Sequence, residues 1–523
     1  MGYVVRFLRY MCSRKVFILM KLLVVASLTF PLWIRVTHYI NILFLFFMIR
    51  SGIQILAAHP RLYWTDSSDP KTAWLKFTRK QVPKDQLYTA ADSEIEASPW
   101  LALPGGGNLG LGRHWHFFSL IFWILNGVVY VALLFLTGEW SRLIPTSWDI
   151  FPHAWESLVT YVTLHVPPES AFRPYDGLQQ LTYAGVVFLL TPFMILLGAA
   201  MSPSIEAHYP WYVRLFGGKQ GARSLHFLGM VAFTLFVVVH VTLVLVVHFQ
   251  DNIRNIVLGS SQGSVSEAVI LAIIALLVIF AIHVWATLYT RGHLRQMQQV
   301  LGRVADPLYT FFLARQSSNQ NYTPVQITSY FWINGRPPET EEYKQEVAHT
   351  FADYKLEVSG LCARSLHLSL EDIHRLPQQE QITLHNCIQG WSGIAKWTGV
   401  PLTEILTLCE PSPRAKYVVF WSYQTGKEGY KHVPEEKQNR FFYETLSLDI
   451  VKHPQTILAY AMNDTPLTIE HGAPLRLRCE TQLGFKMVKY LRKIELVEEY
   501  SHIYDGQGGF REDIQYFAME AGI

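Results

Sequence analysis

Four histidines lie in or at the start of long apolar runs: His38, His116, His226 and His240. An ionisable ring is expensive at membrane depth, so a recurring set there points to function, and imidazole is a good ligand for first-row transition metals. His226 and His240 are 14 residues apart. That is almost four turns at about 3.6 residues per turn, so both side chains fall near one helix face, roughly 21 Å apart along the axis. The separation suits two stacked haems, each needing two axial nitrogens. The alternative for any one of them is a bond to a neighbouring helix or a place at the headgroup level. The other chemical feature is Cys387, in His385-Asn-Cys-Ile-Gln-Gly-Trp391. A thiolate is a soft, strongly donating metal ligand, although a lone buried cysteine is more often inert packing. Its setting between a strand and a Gly-Trp turn would present it on a constrained loop.

The elements that must position these groups fall into two kinds. Five segments are apolar enough to supply the ~20 residues that a bilayer crossing takes: 36–57, 115–137, 179–200, 226–248 and 267–289. A stretch at 16–34, with Lys21 in its middle, reads as a further crossing, an interfacial helix or a signal sequence. Spans two and four run the same way, so His116 and His226 start at one membrane face. His38 starts span one at the other face, and His240 lies toward it along span four. The pairs are therefore His116 with His226, and His38 with His240. His114 competes with His116. His248 and His283 read as interfacial or packing residues, and Arg50 as a haem-propionate partner or a snorkelling side chain.

The 523 residues are 50% hydrophobic and 16% charged, against about 25% charged in a typical soluble protein. The net charge of +3 and the lack of a basic stripe exclude a nucleic-acid partner. The five cysteines contain no Cys-x-x-Cys, which argues against a zinc ribbon, and an odd, scattered set argues against a disulfide scaffold. From about residue 325 the pattern is mixed α+β. Lys355-Leu-Glu-Val-Ser and Tyr417-Val-Val-Phe-Trp read as strands, and Leu368 to Leu376 as a helix capped by Ser369. Gly393 to Leu408 reads as a short helix, a proline break and a second helix. The expected organisation is an N-terminal segment 1–35, an all-α transmembrane bundle 36–292, a linker 293–324 and an α+β domain 325–523.

Arg35-Val-Thr-His38, Trp115-His116-Phe-Phe, Asn126-Gly-Val-Val-Tyr130 and Ala222-Arg-Ser-Leu-His226-Phe, with Pro192 and Met201-Ser-Pro203, resemble the bacterial cytochrome b561 superfamily. They are most similar to the cytochrome b subunits of nickel–iron hydrogenase, formate dehydrogenase and thiosulfate reductase. The resemblance covers about residues 33–292, and it implies that the matching histidines are axial ligands of two b haems.

A second resemblance runs from Phe331 to the end, to the molybdopterin-binding domain shared by sulfite oxidase and the methionine-sulfoxide reductase catalytic subunit. Its parts come in order: Ile333-Asn334-Gly-Arg-Pro-Pro, Leu356-Glu-Val-Ser-Gly360, the Cys387 string, Tyr443-Glu-Thr-Leu, Leu458-Ala-Tyr-Ala-Met-Asn463, Glu470-His471-Gly-Ala-Pro-Leu-Arg476 and Gly484-Phe-Lys486-Met-Val-Lys489. It implies that Cys387 is the thiolate on molybdenum, that His471, Arg476, Lys486 and Lys489 hold the pterin and its phosphate, and that Asn334 and Tyr443 stand near the metal. A phosphate calls for Arg and Lys donors; without it each basic residue could be a solvated strand face. The chain departs from the family at Cys479-Glu-Thr, where a proline is usual. It also has His385, Asn386 and Gln389 around the cysteine in place of the anion-binding arginines of sulfite oxidases. That puts sulfite in doubt and leans toward the reductase branch.

The expected function is a membrane-bound oxidoreductase that passes electrons between molybdenum and quinone through two b haems, with oxygen-atom transfer on a small sulfoxide-like substrate. The alternative is an electron-transfer cytochrome b whose C-terminal domain is a non-catalytic docking module. The expected partners are quinone or quinol, the oxo substrate, the lipid bilayer and a second copy of the chain. The location is the bacterial inner membrane. If 16–34 also crosses, loop 58–114 and Arg214, Lys219, Arg223, Arg291 and Arg295 join Arg6, Arg9, Arg14 and Lys15 on the cytoplasmic side. That satisfies the positive-inside tendency and places the catalytic domain in the cytoplasm.

Overall fold

The computed structural model describes residues 30–83, 85–165, 175–313 and 320–515. Of the ambiguous stretch 16–34, residues 16–29 lie outside the described residues. Five helices among those described are long and apolar enough to cross a membrane: α1 (Leu32–Ala58), α2 (Leu109–Leu136), α3 (Gly177–Ala200), α4 (Gly218–Val246) and α5 (Val265–Gly292). Helix is the form these runs must take, because lipid offers no partner for an unpaired backbone N–H or C=O. Each helix covers one expected span to within two residues at its end. The largest difference is at α4, which starts at Gly218 rather than near 226, so the polar Lys219, Gln220 and Arg223 are helical too. Within α3 a π turn at Val186–Leu190 runs up to Pro192, which has no N–H to return to the preceding turn.

The chain forms two compact units. One takes the described parts of Met1–Ile49, His116–Ile195 and Phe227–Tyr289. Within it α1 is tied to α2 by Trp123 Nε1 donating to Asn41 Oδ1 (2.8 Å) and Asn126 Nδ2 to the Thr37 carbonyl (3.0 Å). Trp33, Ile34, Leu134 and Leu143 form a small core.

The other unit takes Arg50–Trp115, Leu196–His226 and Thr290–Ile523. It opens after α5 with α6 (Leu294–Leu313), so the expected linker is largely a helix. Met297, Leu301 and Ala305 are among its buried positions, a spacing of four that marks one helical face. Ten strands follow: β1 (Lys355–Gly360), β2 (Leu366–Ser369), β3 (Gln379–Asn386), β4 (Ser392–Pro401), β5 (Tyr417–Thr425), β6 (Phe441–Ser447), β7 (Thr456–Met462), β8 (Thr465–Pro466), β9 (Arg476–Cys479) and β10 (Leu491–Val497). One sheet has the order β8-β7-β4-β3, with β9 also on β7; the other has the order β2-β1-β10-β5-β6. All pairs are antiparallel except β10 with β1. A single core takes side chains from both sheets, including Val358, Phe420 and Ile494 from one and Val400, Leu458 and Leu477 from the other.

The strands at Lys355 and Tyr417 are present, and Ser369 caps the short helix Leu370–His374. The expectation for Gly393–Leu408 is corrected. Residues 392–401 are β4, and only Leu402–Cys409 is helical. β4 lies between β3 and β7 and is buried on both faces. A strand in that position reads as a nearly continuous apolar run without alternation, which a short helix can imitate.

Candidate functional site

Cys387 sits in the five-residue turn between β3 and β4, whose ladder ends at Asn386 opposite Ser392. Its N–H donates to the Trp391 carbonyl (3.1 Å), and its carbonyl accepts from Gly390 N–H (3.0 Å). Gly390 has φ +111°, a conformation that L side chains rarely adopt. Trp391 is fully buried and stacks on His385 with ring centroids 5.0 Å apart. The turn is therefore a rigid mount for one sulfur atom. Asn334 Nδ2 and Gln389 Oε1 each lie 3.6 Å from that sulfur. Burial pushes the Cys387 thiol up to about 11, so a thiolate there needs a metal or another cation to compensate it.

The sulfur opens into a cleft lined, among others, by Asn334, His385, Gln389, His471, Arg476, Lys489 and Arg511. Gly484 lets the chain pass close to His385; a Cβ there would come within 2.2 Å of the ring. At one end His471, Arg476 and Lys489 form a cationic group. Arg476 Nη1 donates to the His471 carbonyl and Lys489 Nζ to the Glu470 carbonyl, both at 2.8 Å. Burial, then Lys489 and Arg476, hold His471 down to about 4. Burial and the neighbouring Arg478 push Arg476 down to about 9, and burial, then Arg476, holds Lys489 well below its ordinary value. Basic groups crowded so that they resist their own charge are a site for an anion. A phosphate fits there, and Arg476 Nε has no hydrogen-bond partner.

Two expected residues stand apart from this cleft's lining. Lys486 is fully buried and donates to Glu444 Oε2 (2.8 Å) and to Glu512. Tyr443 is buried too, stacked on Trp421, and donates to Asp513 Oδ2 (2.9 Å). Both face residues of the C-terminal segment, whose acidic side chains offer them closer partners than the cleft does. That segment carries Arg511, which sequence reasoning missed. Its guanidinium carbon lies 3.9 Å from the Tyr430 ring centre, its backbone N–H reaches Glu444, and its Nε has no hydrogen-bond partner. Also missed was the part played by loop 58–114. Trp332 Nε1 donates to the Ser68 carbonyl (2.8 Å), Ala90 N–H to the Ile333 carbonyl (2.8 Å), and Gln389 to the buried Glu94. Arg50 donates to the Pro99 and Ala102 carbonyls of that loop. No local pattern marks contacts at such sequence separation.

In the membrane helices His38 and His240 face each other with ring centroids 6.3 Å apart. Metal–imidazole bonds of about 2 Å would set two axial ring centres roughly that far apart, so the pair fits one haem iron. Tyr183 Oη lies 3.1 Å from His240 Nδ1, the second-sphere bond that orients a metal-binding imidazole by its other nitrogen. His116 lies within α2 and His226 within α4, each more than a turn beyond its helix start. His114 Nδ1 lies 2.9 Å from the Gly110 carbonyl oxygen, and its Nε2 is 3.8 Å from Asp306. His283 packs on Phe47, ring centroids 4.0 Å apart, and His248 caps the helix that follows α4.

Residues 29–259 match the family described as prokaryotic cytochrome b561, and residues 344–504 the oxidoreductase molybdopterin binding domain. YedZ1 of Azospira oryzae is 34% identical over 165 residues, 32% of this chain and 55% of that protein. The protein-methionine-sulfoxide reductase catalytic subunit MsrP of Xanthomonas campestris is 34% identical over 176 residues, covering 33% of this chain and 54% of its own. MsrP of Campylobacter jejuni is 32% identical over 152 residues, 28% of this chain and 50% of its own. The chain thus spans about half the length of the curated relatives it matches. Two family models thus match successive parts of one polypeptide: prokaryotic cytochrome b561 in the part with the apolar helices and the oxidoreductase molybdopterin binding domain in the strand-rich part.

Proposed function

We propose that this protein passes electrons between a molybdenum site at Cys387 and the quinone pool through two b haems, and reduces a small sulfoxide-like substrate by oxygen-atom transfer. The observation that carries the proposal is the single cleft that brings a rigidly mounted thiol together with a buried cationic group. Cys387 is the protein ligand of the metal. His471, Arg476 and Lys489 hold the pterin phosphate, and Asn334 stands beside the sulfur. Lys486 and Tyr443 act from behind, as positioning residues for the C-terminal segment. When bound, the cofactor supplies the two-electron chemistry; the net reaction takes two electrons and two protons and turns a sulfoxide into a sulfide and water. The sulfoxide reading is supported by the names of the relatives.

His38 and His240 hold one haem. His116 and His226 hold the other. Quinol is the membrane electron source. The catalytic domain faces the cytoplasm. A C-terminal alkaline phosphatase fusion checks that topology: phosphatase activity in whole cells would put the domain outside. Metal and haem analysis of the purified protein tests the core of the proposal. About one molybdenum and two haems per chain are expected. Haem without molybdenum would reduce the protein to an electron-transfer module.

A further inference from the structure

Behind the Cys387 turn lies a buried charge cluster that the proposed chemistry does not use. Glu206, in the short helix Pro203–His208, is 9% exposed. Asp66, from loop 58–114, and Lys219, in the first turn of α4, stand with it. The three are not equivalent. Lys219 Nζ donates to Asn386 Oδ1 (2.7 Å), and Asn386 is the residue before Cys387. Asp66 Oδ1 accepts the Gln220 backbone N–H (2.9 Å), which satisfies a free donor at the start of α4. Glu206 Oε2 is buried and has no hydrogen-bond partner. The same helical turn reaches the cysteine turn directly, because Gln220 Nε2 donates to the Gly390 carbonyl (2.8 Å).

Two carboxylates and one ammonium leave one surplus negative charge in a dry place, and such a pair keeps a proton instead. The proton belongs on Glu206: Asp66 accepts the backbone N–H groups of Lys219 and Gln220, whereas Glu206 has the Asn386 amide beside it and keeps one oxygen, Oε2, with no donor. We propose that Glu206 is a redox-linked proton site of the Cys387 turn: where its carboxylate is ionised, the first electron arriving there is matched by one proton taken from water onto it. The balance is one electron from the haem side and one proton from bulk water, with no bond made except O–H on Glu206. Glu206 acts through charge and not by touching substrate, so it is a positioning residue for the proton. Burial, then the Asp66 carboxylate, push it up to about 8. The other groups facing the cluster are Tyr322, with Arg214 beside it, and, around Lys219, Arg113, His385 and Cys387. Tyr322 is held above its ordinary value by burial and by these carboxylates, so it stays neutral.

The sign follows. Below about pH 8 Glu206 already holds its proton in the oxidised protein, and reduction takes up none there. Above about pH 8 the carboxylate is ionised; reduction adds negative charge nearby, raises its affinity and draws a proton in. This rests on the molybdenum assignment at Cys387. The experiment is a redox titration of the molybdenum EPR signal of the holoprotein between pH 6 and 10. The potential is expected to be level below about pH 8 and to fall by one proton per electron above it. Glu206→Gln, nearly isosteric and permanently neutral, should stay level throughout. Lys219→Met, which removes the neighbouring cation, should move the break to higher pH. A Glu206→Gln protein with the wild-type break overturns the inference and leaves the molybdenum reading intact. A protein with no molybdenum overturns both.

Discussion

The His38–His240 pair and the Cys387 cleft are built on opposite principles. The histidines sit on long apolar helices, and one hydrogen bond, between His240 and Tyr183, supports His240. Their geometry comes from helical repeat and helix packing. The cysteine sits on a five-residue turn fixed by strand register, a positive-φ glycine and buried tryptophans, and its cleft draws on residues from Asn334 to Arg511. Where two helices in lipid suffice, a metal pair can be placed by periodicity. A pterin cofactor, with a metal at one end and a phosphate at the other, needs groups gathered from many separate segments.

The contrast can be broken most severely at the sulfur. Cys387→Ser should abolish turnover with artificial electron donors while the haem spectrum stays normal; a serine variant with full activity would remove the cysteine from the metal. His240→Ala should remove one haem and leave the other, read as a halving of the reduced-minus-oxidised haem absorbance. His226→Ala should remove the other haem instead, and two haems per chain in either variant would refute the pairing. Lys486→Met leaves Glu444 and Glu512 buried without their cation. Breaking a buried ion pair on one side costs about 3–5 kcal/mol, to be read as lost stability in denaturant unfolding of the soluble domain. An unchanged midpoint would show that the triad does not hold the C-terminal segment.

Smaller effects sharpen the comparison. Arg511 offers an unpartnered Nε in the cleft, and a hydrogen bond to a charged group contributes about 1.5–3 kcal/mol. Arg511→Gln should therefore lower kcat/KM for a sulfoxide about tenfold or more, mostly through KM. Unchanged kinetics would make Arg511 a purely structural side chain. The smallest effect is expected from Tyr183→Phe. With Nε2 on iron, His240 Nδ1–H donates to the tyrosine oxygen; losing that acceptor makes the imidazole a poorer donor. The potential of that haem should rise slightly while the other haem is unmoved, and a shift of both would place Tyr183 elsewhere in the electron path.

Much of the membrane half was legible in one dimension, because a bilayer forces each spanning segment to satisfy its own backbone. Apolar length gave the five helices, and helical repeat with alternating direction brought out His38 and His240, which do meet. In the soluble half the ordered motifs located Cys387, Asn334, His471, Arg476 and Lys489, and these do line one cleft. β4 was misread because a strand buried on both faces has no alternation to show. Lys486 and Tyr443 could not be told from cleft residues by spacing alone, since their partners Glu512 and Asp513 lie far along the chain.

Residue type and local repeat thus determined which groups could bind metal and which segments had to be helices. Only the tertiary structure decided which of those groups share a site. It turned Lys486 toward Glu512, brought Arg511 to the cleft wall, laid loop 58–114 along the cysteine turn and left one Glu206 oxygen buried without a donor. Long-range contacts settle these matters, because a buried charge takes its meaning from whatever the fold places within a few ångströms of it, and sequence distance carries no record of that.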